Sequence, residues 1–160
     1  MHATRNDLPE ALRAKIVELL NDRLADAIDL HTQLKHAHWN VKGPQFIAYH
    51  ELFDKLHDEV EEYVDDIAER AVALGGKANG TARLVAARSK IGEFPANATT
   101  GREHLEAVAA ALASFGKAVR AAIDTADELN EADTADLFTQ ISRGADKALW
   151  FVEAHLQANA

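Results

Sequence analysis

Apolar residues recur at steps of three and four along four stretches of the chain, and helix-breaking residues close the early ones. From Asp7 or Pro9 to Asn40, the positions Leu12, Ile16, Leu20, Leu24, Ala27 and Leu34 form a first stripe, which Gly43-Pro44 stops. Phe53, Leu56, Val60, Val64, Ile67, Ala71 and Leu74 form a second between Gln45 and Leu74, ended by Gly75-Gly76. Thr100-Gly-Arg-Glu103 has the spacing of a capping box, in which hydroxyl and carboxylate satisfy each other's backbone N–H groups. Behind it Leu105, Val108, Leu112, Phe115, Val119 and Ile123 predict a third helix to about Thr125. Asn130 is placed to cap a fourth, with Leu137, Ile141, Ala145, Leu149, Val152 and Leu156 as its stripe. Helices of this length span ~40 Å.

About 25 residues separate the second and third stripes, and they carry Gly75, Gly76, Gly80, Gly92 and Pro95. Antiparallel neighbours in a bundle are usually joined by ~2–8 residues. So long a connection can travel the length of the bundle, and TARLVAARSK (81–90) predicts a short extra helix within it. Two short turns around one long crossover make a ferritin-like connectivity. The expected fold is therefore an all-α, ferritin-like four-helix bundle, one domain over residues 1–160 with a short tail at 1–8.

Composition and charge narrow the chemistry. Nearly half of the 160 residues are hydrophobic, enough for a real core. The opening MHATRNDLPE lacks the apolar centre of a signal peptide, and no stretch approaches the ~18 continuous apolar residues of a membrane span, so a cytoplasmic protein is expected. There is no cysteine, so disulfides, iron–sulfur clusters and thiol catalysis are excluded, and any metal must sit on His, Asp or Glu. A net charge of −9 argues against a general nucleic-acid surface and suits a cationic partner.

The second helix carries His50, Asp54, Asp58, Glu61, Asp65 and Glu69 on one face, well over 100° around from its apolar stripe. A solvated acidic face is the plain reading of such a run. Three features point to a bound cation instead. No Lys or Arg relieves the stripe, although like charges four residues apart repel by tenths of a kcal/mol. His50 with Asp54, and Asp65 with Glu69, are neighbours one turn apart, and His38 can add a second nitrogen from the end of the first helix, a mixture that suits iron, manganese or zinc. Lastly, Asp54 and Asp65 lie eleven residues apart, ~16 Å on a straight helix, so they cannot bind one ion from one chain. If this helix packs antiparallel on its copy about a two-fold axis, facing positions have numbers of one constant sum. The pairs 50 with 69 and 54 with 65 obey that rule, giving two symmetric centres per dimer. The usual centre inside a ferritin-like bundle needs Glu-x-x-His pairs; the chain has none, and Asp54-x-x-His57 is the nearest approach.

KHAHWNVKGPQFIAYHELFD (35–54), followed by YVDDIAERAVALGG (63–76) and TADLFTQISRGADKALWFVEAHLQ (134–157), resembles the Dps family, the miniferritins named as DNA-binding proteins from starved cells. The resemblance covers almost the whole chain. It implies an inter-subunit ferroxidase centre with His38, His50 and Asp54 from one subunit and Asp65 and Glu69 from the other. Trp39 matches the aromatic residue beside that centre, read either as a quencher of oxidising equivalents or as a packed interface residue, and Lys35 matches a nearby lysine. It further implies a hollow homo-dodecamer that oxidises Fe(II), preferably with hydrogen peroxide, and stores ferric mineral, with zinc or manganese as substitutes for iron.

Six acids and no base lie between Asp124 and Asp136. Acids at the start of a helix complement its dipole, which accounts for Glu131 and Asp133; by resemblance, Asp133 and Asp136 match an acidic iron-entry pore on a three-fold axis. His31, His36 and His57 lie outside the family's motif and read as ordinary polar or interface histidines, with an accessory metal site at His31 or His57 as the lesser reading. Direct DNA binding is expected to be weak, because residues 1–10 offer Arg5 against Asp7 and Glu10, and the C-terminal QANA has no basic side chain. Two other readings stay open: a structural or DNA-compacting assembly whose acids only hold counterions, and a zinc- or manganese-binding protein.

Overall fold

The computed structural model describes residues 1–157; the last three residues of the QANA end lie outside them. Five helices follow in order: α1 (Glu10–Asn40), α2 (Phe46–Ala73), α3 (Ala82–Arg88), α4 (Gly101–Glu128) and α5 (Ala132–Gln157). No strand occurs among the described residues. α1 with α2 and α4 with α5 are the two closely packed hairpins, and α1 also packs on α4. This is the four-helix bundle with a helical crossover that the apolar periodicity predicts.

The helix ends follow local chemistry. Pro9 precedes α1, and its carbonyl accepts from the N–H groups of Leu12 and Arg13. α2 ends in a left-handed Gly75 (φ +81°), with Gly75 N–H on the Val72 carbonyl and Gly76 N–H on the Ala71 carbonyl, the paired bonds of a Schellman motif. The capping box at Thr100 forms as predicted, and Glu103 Oε2 also takes the Thr99 N–H at 2.8 Å. Held by those donors, the Glu103 carboxyl has its pKa lowered to about 2.

Asn130 departs from expectation. It stands at φ +56° as the left-handed residue that ends α4, where Glu131 N–H reaches the Ala126 carbonyl and Asn130 N–H the Asp127 carbonyl. Asn tolerates this conformation nearly as well as it caps. The cap of α5 is Glu131 instead, whose Oε2 accepts the Thr134 N–H at 3.1 Å. Its carboxylate is only 3% exposed and is neutralised by Arg70 at 2.9 Å.

One continuous core joins the four long helices, with Leu20, Leu34, Phe53, Ile67, Phe115 and Phe138 among its fully enclosed side chains. Ile141, Ala145 and Val152 of the predicted α5 stripe are buried, but Phe138 and Ala148 join them inward while Leu137 and Leu149 pack at the rim. The crossover is laid along α1 by polar side chains. Asn21 holds the Lys77 carbonyl and the Asn79 N–H, Arg88 reaches Glu18 and Asp22, buried Asp26 accepts the Lys90 N–H, and Gln33 donates to the Gly92 carbonyl. The bonds from Asn21, Asp26 and Gln33 satisfy backbone groups of the crossover that have no secondary-structure partner. The N-terminal tail is likewise tied down, with His2 N–H on the Gly75 carbonyl and Arg13 on the carbonyls of Leu8 and Leu74.

Candidate metal centre

Gly43, at φ +119°, turns the chain so that the last turn of α1 and the first turns of α2 run side by side. There the rings of His38 and His50 stack with centroids 3.6 Å apart. His38 Nδ1 lies 2.8 Å from the His50 carbonyl, and His50 Nδ1 lies 2.9 Å from the His38 carbonyl. A carbonyl only accepts, so each Nδ1 carries its proton and donates it. Each Nε2 is then left with its lone pair, the form in which imidazole binds a metal. The exchange is also structural. The His38 carbonyl is one of the four at the end of α1 that lack an intrahelical partner, and His50 supplies one.

Asp54 follows His50 by one turn. Lys35 Nζ contacts its Oδ1 at 2.5 Å, and His38 Nδ1 stands 3.7 Å from the same oxygen. The hydrogen bond from Lys35 is the main reason that the Asp54 carboxyl titrates below its ordinary range, with the nearby histidines adding to it. A carboxylate and two correctly protonated imidazoles are therefore assembled on one chain, with a lysine beside them. Trp39 follows His38 at the end of α1 and is 68% exposed, and Phe46 approaches the His50 ring with centroids 4.9 Å apart.

Asp65 and Glu69 are not brought to this cluster. Both are exposed, about three turns further along α2 on its outward side. His36 stays exposed, edge-on to Phe94.

Asp133 and Asp136 are exposed at the start of α5. With Asp66, Glu69, Arg70 and Gln140 they line an open cleft of about 750 Å³ between α2 and α5. Arg70, absent from the sequence reading, lies 3.5 Å from Asp133 as well as bonding Glu131. The periodicity of α2 gives it no signal, because its partner lies on another helix. His31 and His57, each a lesser candidate for an accessory metal site on sequence, are brought together with Glu61, and the potential ligand atoms of the three all lie within 4.8 Å of one another.

Comparison with known proteins agrees with this architecture. Residues 17–159 match the family model described as "Ferritin-like domain". The "DNA protection during starvation protein" of Agrobacterium fabrum is 44% identical over 98% of this chain and 96% of its own length. Among solved structures, DpsC from Streptomyces coelicolor superposes with a TM-score of 0.93 at 29% identity, covering 99% of this chain and 92% of that one. Mycobacterium smegmatis Dps does so with 0.92 at 30% identity, covering 100% and 91%. A ferritin-like match over nearly the full length, with a Dps relative at 44% identity and Dps structures at such scores, means that this chain belongs to the Dps family of ferritin-like proteins.

Proposed function

We propose that this protein, as one domain over its full length, is an Fe(II) ferroxidase and iron-storage cage, acting with hydrogen peroxide at a centre shared across a two-fold axis. The observation that carries the reading is the His38–His50 pair, whose reciprocal bonds to backbone leave two imidazole nitrogens free beside Asp54. The partner's Asp65 and Glu69 complete the set. Carboxylates stabilise the product ion, because Fe(III) is the harder cation. In the reaction two Fe(II) ions each give one electron to one peroxide; its O–O bond breaks, and the oxygens leave as hydroxide or enter the ferric mineral. Delivering both electrons together avoids releasing a hydroxyl radical.

The exposed apolar residues of α2 support the two-fold. Ile47 is 60% and Val72 56% exposed at opposite ends of the helix, and their numbers share the sum of the ligand pairs, as do those of Phe46 and Ala73. An antiparallel α2–α2 packing thus covers apolar surface at both ends while it matches ligands between them. Asp133 and Asp136 serve as the acidic iron-entry pore of the homo-dodecamer. Protection of DNA is chemical, by removal of iron and peroxide in the cytoplasm, with direct DNA contact weak at a net charge of −9.

The test is anaerobic addition of Fe(II) and peroxide, with ferric absorbance followed in wild type and in Asp65→Asn/Glu69→Gln. Loss of the fast phase in the variant, with assembly unchanged by light scattering, is expected. Equal rates overturn the catalytic assignment in favour of an assembly whose acids only hold counterions.

A further inference from the structure

His31 on α1 and His57 on α2 stack with ring centroids 3.8 Å apart and planes 28° from parallel, nearly the geometry of His38 and His50. The two pairs share one number sum, as two rungs of one antiparallel register must. The second rung lies seven residues, ~10 Å, along the hairpin on the same face, because seven residues return an α-helix to within ~20° of its starting direction. Glu61 follows His57 by one turn, as Asp54 follows His50. The same step of seven leads from Asp65 to Asp58 and from Glu69 to Glu62, so every member of the expected centre has a counterpart of the same donor type.

The second rung has the features of a ligand set. The potential ligand atoms of His31, His57 and Glu61 lie within 4.8 Å of one another. Zinc–nitrogen bonds of ~2.0–2.1 Å place the donors of a tetrahedral site ~3.3 Å apart, so side-chain adjustments of about an ångström close it. His31 Nε2 is buried without a hydrogen-bond partner. A buried ring nitrogen with no partner is destabilising unless something occupies it. His57 Nδ1 stands 3.0 Å from Asp58 Oδ1, the carboxylate contact that orients a metal-binding imidazole and directs its other nitrogen to the ion.

We infer that His31, His57 and Glu61 form a second metal site on each subunit, taking a divalent transition ion such as zinc, cobalt or ferrous iron, nearer the two-fold axis than the ferroxidase centre. Two imidazoles and one carboxylate select such ions over magnesium or calcium. These three ligands come from one chain and do not depend on the dimer. Completion by the partner's Asp58 and the partner's Glu62 rests on the two-fold packing proposed above.

The site is tested by titrating Co(II) into the metal-free cage, with stoichiometry from calorimetry and coordination from visible absorption. His31→Gln/His57→Gln is expected to bind one equivalent per subunit fewer than wild type. Asp65→Asn/Glu69→Gln is expected to keep that equivalent while losing the others. Equal cobalt uptake by wild type and the histidine variant overturns this inference and leaves the ferroxidase reading untouched; fast iron oxidation in Asp65→Asn/Glu69→Gln does the reverse. Glu61→Gln, at an exposed position that folding does not need, serves if the histidine variant misassembles: at least tenfold weaker cobalt binding at one equivalent is expected, and an unchanged isotherm overturns the site.

Discussion

Two crippled subunits, co-assembled, distinguish a shared centre from a private one. His50→Ala/Asp54→Asn removes donors at the α1–α2 end, and Asp65→Asn/Glu69→Gln removes those further along α2. Neither homodimer retains an intact centre. A first shell with bonds of ~2 Å cannot draw on Asp54 and Asp65 of one straight helix, which lie ~16 Å apart. In a two-fold hybrid, one centre takes His38, His50 and Asp54 from the second variant and Asp65 and Glu69 from the first, and is whole. The other centre carries both lesions. At equal input about half of the dimers are hybrids, so about one quarter of all centres are intact, and the yield falls to either side of that ratio. The assay is the initial rate of ferric absorbance with peroxide, on cages whose mixed composition mass spectrometry has verified. The expected rate is about 25% of wild type against background for each variant alone. A centre held within one chain gives no recovery at any ratio, since every chain lacks part of it. Background rates in verified hybrids therefore refute the shared centre.

Other perturbations probe the frame around the site. A Cβ at Gly76 meets the Val17 methyls at 2.5 and 2.6 Å and the Ala71 carbonyl at 2.8 Å, so Gly76→Ala is expected to cost ~1–3 kcal/mol by overpacking. Gly92→Ala, with open space around its Cβ, is expected to leave the thermal midpoint close to wild type. Arg70→Gln strips the buried Glu131 of its cation; a loss of ~3 kcal/mol or more is expected in thermal unfolding, with the α4–α5 turn exchanging amide protons faster. Glu103 has its pKa depressed from 4.5 to about 2, so its contribution is complete above about 4.5 and vanishes as pH falls towards 2. The stability gap between wild type and Glu103→Gln should therefore close across that window; a gap independent of pH contradicts the cap's ionic character. Asp133→Asn/Asp136→Asn is expected to slow iron uptake most at low ionic strength with assembly intact, and unchanged uptake removes both from the entry path.

Helices were legible in this chain where one periodicity stood alone. In α1, α2 and α4 the stripe positions are buried except Leu12, Val64 and Ile123, which are half-buried, and α1 also buries Val17 and Leu30 beside its stripe. In α5, Leu137 adjoins Phe138 and Leu149 adjoins Ala148, so at these two levels adjacent apolar positions compete for the core, while Ile141, Ala145 and Val152 are buried as the pattern has them. Packing against α4 and α2 places Phe138 inside. Asn130 failed for a related reason: its side chain suits both a cap and a left-handed helix end. What decided between them is Arg70, sixty residues earlier, which makes a buried Glu131 affordable as the cap.

The site was legible to the extent that its spacing lies on one helix. Asp54 after His50 and Glu69 after Asp65 are (i, i+4) pairs that any helix brings together. The stacking of His38 on His50, and the bonds that fix both tautomers, depend on the register of α1 against α2, which neither helix specifies alone. Once that pair is known the register becomes countable, and the same count carries His31 to His57. The two histidines looked unrelated in the chain because they are twenty-six residues apart and lie on different helices. A seven-residue step that repeats two histidines and three acids is hard to ascribe to a generic acidic face, which requires charge but no nitrogen at either rung. The repeat also separates the two sites chemically. Lys35 bonds the Asp54 carboxylate of the first rung, whereas the Glu61 carboxylate of the second has no lysine or arginine bonded to it among the described residues. On the proposed reading the first rung has a cation that competes for its carboxylate and would have to yield to an entering iron. The second meets no such competitor and should retain a divalent ion more readily between turnovers.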